Sequence, residues 1–563
     1  MTPPPPFPNR GDIWSLGYVL FEWDTYLLAL MASAQAGRAR DIAFANLIQV
    51  TLGRTPAGFV PNVGAGPRRT FDRSEPQVGA RVLRAIVERW GEADAGWLLD
   101  GLLPIMLDWN DWAWARRRGE GVLGAGAPDG LADLLCLGSD ASSPRSDVEQ
   151  TLQAARYEGM DNAVIYDAPP AAFNKTSAHM NVYDVGASAF FASDTEATLA
   201  LCARPGAPPC APRAPPLPER LARVQAAMNA HMWDAGAGVY RNVLFNGTAI
   251  DHVTPTSFFP MLSGAASDAQ AAALVAALAA PAGFCVNASH TPAPGAAVLA
   301  TWAARDGAER ACVSDACVRA AIEGGARLER IEAAALGAAA GAAAGRAAGL
   351  VALDLYADAA SGATALVAGA PPGGNFTFFS REGWCWDAPP AGAGGWPTTA
   401  LSLWSARGGA AFTTCGTAAC EAAAAAAPGG ARVRTMCFAF NATGADNMPC
   451  VVAGASIARA DAAFAEQDYW RGRAWPPHHL LLYEALLRYD HVPAARAARA
   501  DLLVLGMRVF DINWDAGVLC ENANGFVGTC EDSGNADPGY TWGALFGFTS
   551  ILEDAYKPAQ AAP

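Results

Sequence analysis

A short stretch at residues 157–167, YEGMDNAVIYD, places three carboxylates among aromatic and aliphatic side chains. Only 17% of the chain is charged, and burying a carboxylate is costly unless another group satisfies it or the protein uses it. An Asp followed by an Asn is common at the start of a helix, so a structural cap is one explanation of Asp161. A catalytic acid is the other.

The sequence lacks the motifs of several common catalytic and nucleotide-binding sites. It contains no Gly-x4-Gly-Lys-Ser/Thr, no Gly-x-Gly-x-x-Gly after a strand, no Gly-x-Ser-x-Gly and no His-Glu-x-x-His. Of seven His, only His478 and His479 are adjacent, so we expect no metal cluster. Carboxylates among aromatic residues in loops remain, and that pattern is typical of glycoside hydrolysis, which needs no cofactor.

Composition narrows the class of partner. The net charge of −15 argues against nucleic acid and anionic membranes, because both select for basic surfaces. The 17 Trp are compatible with sugar stacking and equally with core packing. No apolar run reaches transmembrane length. A neutral sugar fits these properties, and oligomeric state stays open.

Cysteine spacing and glycosylation sequons indicate an oxidising compartment. Four close pairs predict local disulfides: Cys202 with Cys210, Cys312 with Cys317, Cys415 with Cys420, and Cys520 with Cys530. Five Asn-x-Ser/Thr sequons occur, at Asn174, Asn246, Asn287, Asn375 and Asn441. The start of the chain shows no signal peptide. We therefore expect a secretory or extracellular protein whose natural N-terminus lies further upstream.

Helical periodicity dominates both ends of the chain. Apolar spacing predicts paired helices over residues 14–50, and further helices up to residue 280 and after residue 476, separated by long polar-aromatic loops. Repeated helix pairs predict an α/α toroid, and long loops in a compact domain are usually functional. The fold class is therefore mainly α.

The segment between these helical regions is different. TWAARDGAERACVSDAC (301–317) resembles LWSARGGAAFTTCGTAAC (403–420), and LYADAASGATALV (355–367) is a middle copy without the Cys pair. Trp302, Tyr356 and Trp404 mark three units of roughly 50 residues, which predicts a threefold, β-trefoil-like module. Low-complexity Ala/Gly drift is the alternative.

Six motifs occur in the order found in glycoside hydrolase family 63: FEWDTYLLALMA, FVPNVGAG, DRSEPQVGA, YEGMDNA, DYWRGRAWPP, and CENANGFVGTC with YTWGALFGF. The chain resembles this family, which includes processing α-glucosidase I, bacterial α-glucosidases and mannosylglycerate hydrolases. The resemblance implies an (α/α)6 barrel and inversion of the anomeric centre. We predict barrel segments at 10–293 and 456–557, with an inserted β-rich module at 294–455.

The resemblance also assigns the two catalytic carboxyl groups. Asp161 matches the family's general acid, and an apolar loop suits that role because desolvation raises a carboxyl pKa. Glu521 matches the general base, although Ala523 and Val527 depart from the family's usual Tyr and Thr. A Cys520–Cys530 disulfide would hold this loop. Inversion predicts carboxyl groups about 6.5–9.5 Å apart.

The same motifs contain further candidates for substrate binding. Trp23 and Asp24 match a pair that contacts the sugar, with a core Trp beside a solvated Asp as the alternative. Arg471 could orient a hydroxyl or carboxylate, or form a structural ion pair. Glu158 could tune the acid or cap a helix, and core packing competes for the Trp residues of DWNDWAW. The full set of candidates is Trp23, Asp24, Asn62, Asp72, Gln77, Trp109, Asp111, Trp112, Glu158, Tyr469, Trp470, Arg471 and Gly472.

The sequence thus predicts an inverting, exo-acting α-glycosidase, with an α-glucosidase on oligosaccharides, of the kind that trims N-glycans, as the favoured member. Hydrolysis of mannosylglycerate or another small α-glycoside is the first alternative. A carbohydrate-binding protein without turnover is the second.

Overall fold

A computed structural model describes most of the chain. The described residues are 19–65, 68–124, 127, 130–139, 159–167, 173–174, 177–208, 210, 215–280, 283–284, 296–303, 309–312, 317, 327–337, 350–358, 364–368, 375–388, 398–406, 411–440, 455–464, 468–525, 528–530 and 536–561. Its α-helices are α1 (Glu22–Ala32), α2 (Arg38–Leu52), α3 (Gly79–Ala95), α4 (Leu98–Arg116), α5 (Gly119–Leu123), α6 (Val185–Cys202), α7 (Leu217–Ala227), α8 (Asp268–Ala279), α9 (Ala418–Ala426), α10 (Pro476–Arg488), α11 (Pro493–Asp515) and α12 (Leu545–Ala561).

Shorter elements connect these helices. The 3-10 helices are Val164–Tyr166, Pro255–Ser263 and Thr541–Ala544, and a π-helical turn spans Met228–Met232. The strands outside the β-rich segment are β1 (Leu20–Phe21), β2 (Val63–Ala65), β3 (Arg68–Arg69), β4 (Cys136–Gly138), β5 (Phe173–Asn174), β6 (His179–Tyr183), β7 (Trp233–Asp234), β8 (Val239–Tyr240) and β9 (Val243–Leu244). All of their pairings are antiparallel.

Six helical elements contact one another in sequence and form a closed inner ring. The order is α1, α3, α6, the 3-10 helix Pro255–Ser263, α10 and α12, and the turn Thr541–Ala544 returns to α1. Helices α2, α4, α7, α8 and α11 pack outside. The chain is therefore mainly α with the paired-ring arrangement predicted from the helical periodicity.

Helix α6 shows why the sequence of an inner helix is apolar on almost every face. Of its 18 residues, 13 are buried and none is fully exposed, and its polar members are satisfied inside the ring. Asp184 caps its start by accepting a hydrogen bond from the backbone N of Ala187 (2.8 Å). Further along, Asp194 Oδ1 accepts from the backbone N atoms of Ala80 (2.8 Å) and Arg81 (3.1 Å). A side chain of α6 thus caps the start of α3, its neighbour in the ring.

The β-rich segment consists of three similar units. Its strands are β10 (Ala296–Ala303), β11 (Glu309–Cys312), β12 (Arg327–Gly337), β13 (Leu350–Asp358), β14 (Thr364–Ala368), β15 (Phe376–Trp386), β16 (Thr398–Ala406), β17 (Ala411–Cys415) and β18 (Ala431–Phe440). In each unit the first strand pairs with the short second strand and with the long third strand.

The repeat inferred from the sequence is visible in the register. The pairing is irregular at the same two places in each unit, and the second irregularity lies just before Trp302, Tyr356 and Trp404. The third strands of the units also pair with one another, β12 with β15 and β18, and β15 with β18. This closes the segment about a pseudo-threefold axis, with three described strands in each unit. The boundaries of the inserted module stay a prediction.

All four predicted disulfides are present, between Cys202 and Cys210, Cys312 and Cys317, Cys415 and Cys420, and Cys520 and Cys530. A fifth joins β15 to β18 through Cys385 and Cys437. Within the described residues, none of the helices combines the length and apolar character needed to cross a bilayer.

Candidate active site

The candidate site lies at one end of the inner ring, where several inner elements begin. Asp24 is in the first turn of α1, and Glu75 lies just before α3. Tyr469 precedes α10, and Tyr540 precedes α12. Neighbouring inner helices therefore bring residues from distant parts of the sequence to one place.

The carboxyl group of Asp161 keeps its proton up to a higher pH than an ordinary Asp does. Burial raises its pKa to about 7, and the nearby negative charge of Glu521 adds to this effect. Arg73 and the indole N–H of Trp470 oppose the rise. That N–H makes no bond within normal hydrogen-bond distance, so we regard its contact with Asp161 as a long, weak one. Burial therefore dominates, and the group suits general acid catalysis.

Asn162 explains the Asp-Asn pair without a helix cap. Its Nδ2 donates to Asp468 Oδ1 (3.0 Å), and its Oδ1 accepts from the backbone N of Trp470 (2.9 Å). Its carbonyl accepts from Arg471 Nε (2.9 Å). The nearest helical element, Val164–Tyr166, has Ala163 before it and no side-chain cap. The pair therefore joins the acid loop to the segment before α10.

The groups around Glu521 favour its ionised form and so partly offset the effect of its burial. Burial raises its pKa, while the hydroxyl of Tyr469, which donates to Oε1, and the nearby Arg473 lower it. Trp542 Nε1 donates to the backbone O of Glu521 (2.7 Å), which fixes the chain at this position. A carboxylate with a hydroxyl donor beside it is suited to accept a proton from water.

The loop that carries Glu521 is held from several directions. Ala474 and Ala523 exchange backbone hydrogen bonds of 2.8 and 2.9 Å. The buried Arg473 donates to Asn522 and, from Nη2, to the carbonyl of Cys530 (2.5 Å). The Cys520–Cys530 disulfide closes the same loop. This frame limits how far the carboxyl group can move.

Asp24 is the third carboxyl group of the cluster. Burial raises its pKa to about 7, the charges of Glu521 and Asp161 contribute in the same direction, and a hydrogen bond from Tyr540 opposes them. The Tyr540 hydroxyl donates to Asp24 Oδ1 (2.5 Å). Asp24, Asp161 and Glu521, predicted from three separate motifs, therefore influence one another electrostatically at one site.

Other predicted binding residues surround this cluster. Trp23 is buried edge-on against Trp542, with 5.6 Å between ring centroids. Trp470 stacks on Trp475 at 3.7 Å, and Gly472 donates its backbone N to Ser456 Oγ (2.9 Å). Asn62 donates to Glu75 (2.8 Å). These residues shape or support the site.

Gln77 and Trp112 lie on a small cavity behind the cluster. The cavity has a volume of about 50 Å³ and is also lined by Trp23, Glu75 and Met160. Trp112 packs against Phe59 and under the guanidinium of Arg117. Both residues thus line a cavity that the three carboxyl groups do not line.

Four predicted binding residues occupy structural positions instead. Asp72 is fully buried, paired with Arg73 (2.8 Å), and accepts from Ser139 (2.7 Å), so its oxygens are committed within the protein. Trp109 is fully buried and stacks on Tyr26. The other two form ion pairs: Asp111 with Arg220 (2.7 Å), and Arg471 with Asp167.

The contacts of these four residues are those of core packing or ion pairing, and their part in substrate binding stays a prediction. Glu158 lies outside the described residues.

Five residues of the site were not singled out from the sequence: Glu75, Asn162, Arg473, Tyr540 and Trp542. All five lie inside motifs that carry the family resemblance. The motifs contain these residues, but the side chains that support the three carboxyl groups became visible only through their contacts. Within the described residues, no group of His, Cys, Asp and Glu is arranged to hold a metal ion.

The comparisons define the class of protein. Residues 19–297 match the family model described as the mannosylglycerate hydrolase MGH1-like glycoside hydrolase domain. This part of the chain therefore belongs to that family of glycoside hydrolases, and the resemblance to family 63 is confirmed.

Solved structures show the same fold. A family 63 mannosylglycerate hydrolase from Thermus thermophilus, in complex with glucose, is 13% identical, with a TM-score of 0.51 over 94% of this chain and 93% of that chain. An uncharacterised conserved protein from the same organism is also 13% identical, with a TM-score of 0.51 over 94% and 92%. No curated protein matched the chain. At this identity the structures support the (α/α)6-type fold alone.

Proposed function

We propose that the protein is an inverting, exo-acting α-glycosidase that hydrolyses α-linked glucose from neutral oligosaccharides. Asp161 protonates the glycosidic oxygen as the bond from that oxygen to the anomeric carbon breaks. Glu521 accepts a proton from water, whose oxygen attacks the anomeric carbon from the opposite face. The products are the free sugar with inverted configuration and the alcohol of the leaving group.

The observation that carries this proposal is the contrast between two neighbouring carboxyl groups. Asp161 has a pKa raised to about 7 by burial, and Glu521 receives a hydroxyl donor that favours its charged form. Paired titratable groups whose environments differ in this way are typical of an acid and a base that act together.

The charge of the site supports a neutral substrate. Asp24, Asp161 and Glu521 all face it, and Arg473 is fully buried behind the base loop. Arg471, the candidate for orienting a substrate carboxylate, is paired with Asp167. Among the described residues, the three carboxyl groups of the cluster outnumber the two arginines whose charges act on them, Arg73 and Arg473, which disfavours an anionic leaving group.

Hydrolysis of mannosylglycerate is the second candidate. The family model's description supports it, although an acidic site would weaken binding of the glycerate carboxylate. The five disulfides between described residues favour a non-cytosolic compartment, where trimming of glucose from N-glycan precursors would be a matching role.

The test is hydrolysis of α-linked glucose disaccharides, glucosylglycerol, glucosylglycerate and mannosylglycerate, with the released anomer followed by NMR. We expect initial release of the β-anomer from neutral substrates, abolished by Asp161→Asn and by Glu521→Gln. Preference for the two substrates that carry a glycerate carboxylate would select the second candidate. Sugar binding without any turnover would replace both with a carbohydrate-binding protein, and activity that survives either substitution would overturn the assignment of the carboxyl groups.

A further inference from the structure

A ring of hydrogen bonds ties the start of α1 to the segment before α3. Glu75 Oε2 accepts from the backbone N of Trp23 (3.0 Å), and Oε1 accepts from Asn62 Nδ2 (2.8 Å). The backbone N of Glu75 donates to Glu22 Oε2 (3.1 Å), and the backbone N of Glu22 donates to the carbonyl of Asn62 (3.0 Å). Four residues, from the start of α1, the loop before β2 and the segment before α3, thus form one closed network.

This network is buried and lies directly behind the site. Glu22 is fully buried and Glu75 is 9% exposed. Glu75 also lines the small cavity with Trp23 and Gln77, and it interacts electrostatically with Asp24 and Asp161. Its carboxyl group therefore faces the site without being one of the acid and base residues.

Burying two acidic side chains next to each other lowers the stability of the fold. Burial raises the pKa of Glu75 and of Glu22, and each is raised further by a nearby carboxyl group, Asp24 for the first and Glu75 for the second. An amide at position 75 would avoid this cost. A carboxyl group, however, offers acceptors on both oxygens, and both neighbours, the Trp23 N–H and the Asn62 amide, are donors.

We propose that Glu75 is a positioning residue, which fixes the backbone of Trp23 and thereby holds Asp24 in place across the site from Glu521. The inference rests on the proposed glycosidase activity for its kinetic consequences. Glu75 does not need to contact the substrate in this role: it acts through residues 23 and 24. A displacement of about 1 Å in such a group is enough to lower a rate about 100-fold.

Exchanging the amide and the carboxyl group tests this directly. In Glu75→Gln, the new NH2 opposes either the Trp23 N–H or, in the present orientation of the Asn62 amide, the Asn62 NH2, so the present network is lost. In Asn62→Asp, two carboxyl groups oppose each other. The double variant N62D/E75Q restores a donor–acceptor pair with the same atoms exchanged. The introduced amide can donate to the introduced carboxylate, while its own oxygen accepts from the Trp23 N–H.

We expect kcat/KM on a neutral α-glucoside to fall by about 100-fold in each single variant and to recover to within about 5-fold of wild type in the double variant. Glu553→Gln is the matched control. Glu553 is also 9% exposed and lies on α12, where it accepts from Tyr483 of α10 (3.1 Å) and pairs with Arg499 of α11. The Glu553→Gln substitution should lower the stability of the protein and leave kcat and KM per folded molecule unchanged.

Structures of the variants keep the inference separate from the proposed activity. If the wild type hydrolyses no α-glycoside, the proposed function fails, while crystal structures still show whether Trp23 and Asp24 move in E75Q and return in N62D/E75Q. Unchanged positions of these residues, or single variants with wild-type kinetics, would overturn the positioning role. Lower thermal stability of E75Q with unchanged kcat/KM would show that Glu75 only stabilises the fold.

Discussion

The hydrogen bond between Tyr469 and Glu521 should set the acidic side of the pH–rate profile. The base must be ionised to accept a proton from water, and the Tyr469 hydroxyl donates to its Oε1. Tyr469→Phe removes this donor while keeping the ring, which packs edge-on against Trp475 with 4.7 Å between centroids. The substitution therefore changes the stabilisation of the charged base more than the packing.

The size of the effect follows from the type of hydrogen bond. A hydrogen bond to a charged group contributes about 1.5–3 kcal/mol, and one pKa unit corresponds to about 1.4 kcal/mol. Loss of the donor should therefore raise the pKa of Glu521. The acidic limb of kcat/KM should move to higher pH by about one to two pH units, towards the alkaline limb that Asp161, with its pKa of about 7, is expected to give. The bell-shaped profile should become narrower and lower.

The assay is kcat/KM for a neutral α-glucoside between about pH 4 and pH 9. Tyr240→Phe is the control, because the Tyr240 hydroxyl also donates to a side chain, Asn229 (2.6 Å), but away from the carboxyl cluster. The control should keep both limbs of the wild-type profile. An acidic limb that stays in place in Tyr469→Phe, or a loss of activity of equal size at every pH, would refute the reasoning.

Three further outcomes are expected. Replacing Cys520 and Cys530 together by Ser should lower kcat/KM about 10-fold or more, because the loop of the base loses its closure, whereas the same change at Cys202 and Cys210 should leave it unchanged. Asp194→Ala should lower the free energy of unfolding by about 2 kcal/mol through the lost cap of α3. Because burial raises the pKa of Asp194 to about 6, the stability of the wild type should decline as the pH rises from about 4 to about 6. Asp194→Asn should lack this part of the decline in denaturant titrations. Protonated Tris should inhibit more strongly than the neutral polyol pentaerythritol of the same shape, and equal inhibition would contradict an acidic site.

Local patterns predicted the elements and the loops well. Helical periodicity indicated paired helices, and the spacing of close Cys residues indicated four disulfides, all of which form. The fifth, Cys385–Cys437, joins residues 52 positions apart, and a separation of that size carries no local signal. The threefold repeat was readable because each unit preserves its own strand pattern.

Individual side chains were less predictable, because a motif shared with a family does not say which of its residues face the ligand. Trp109 and Trp112 lie three residues apart on α4, yet one is in the core and the other on the cavity behind the site. Arg471 and Arg473 belong to the same motif, and both serve the protein's own loops. The direction of a side chain depends on how its element packs.

The sequence by itself determined the helical architecture, the order of the site loops and the three carboxyl groups that they carry, because periodicity and motif spacing are properties of neighbouring residues. Only the tertiary structure decided which groups support those carboxyl groups: Tyr540 on Asp24, Tyr469 on Glu521, and the Glu75 network behind Trp23. Each of these three contacts joins residues that are at least 52 positions apart. They exist because the inner elements of the ring begin at the same end, and the strength of each depends on burial that the ring as a whole creates.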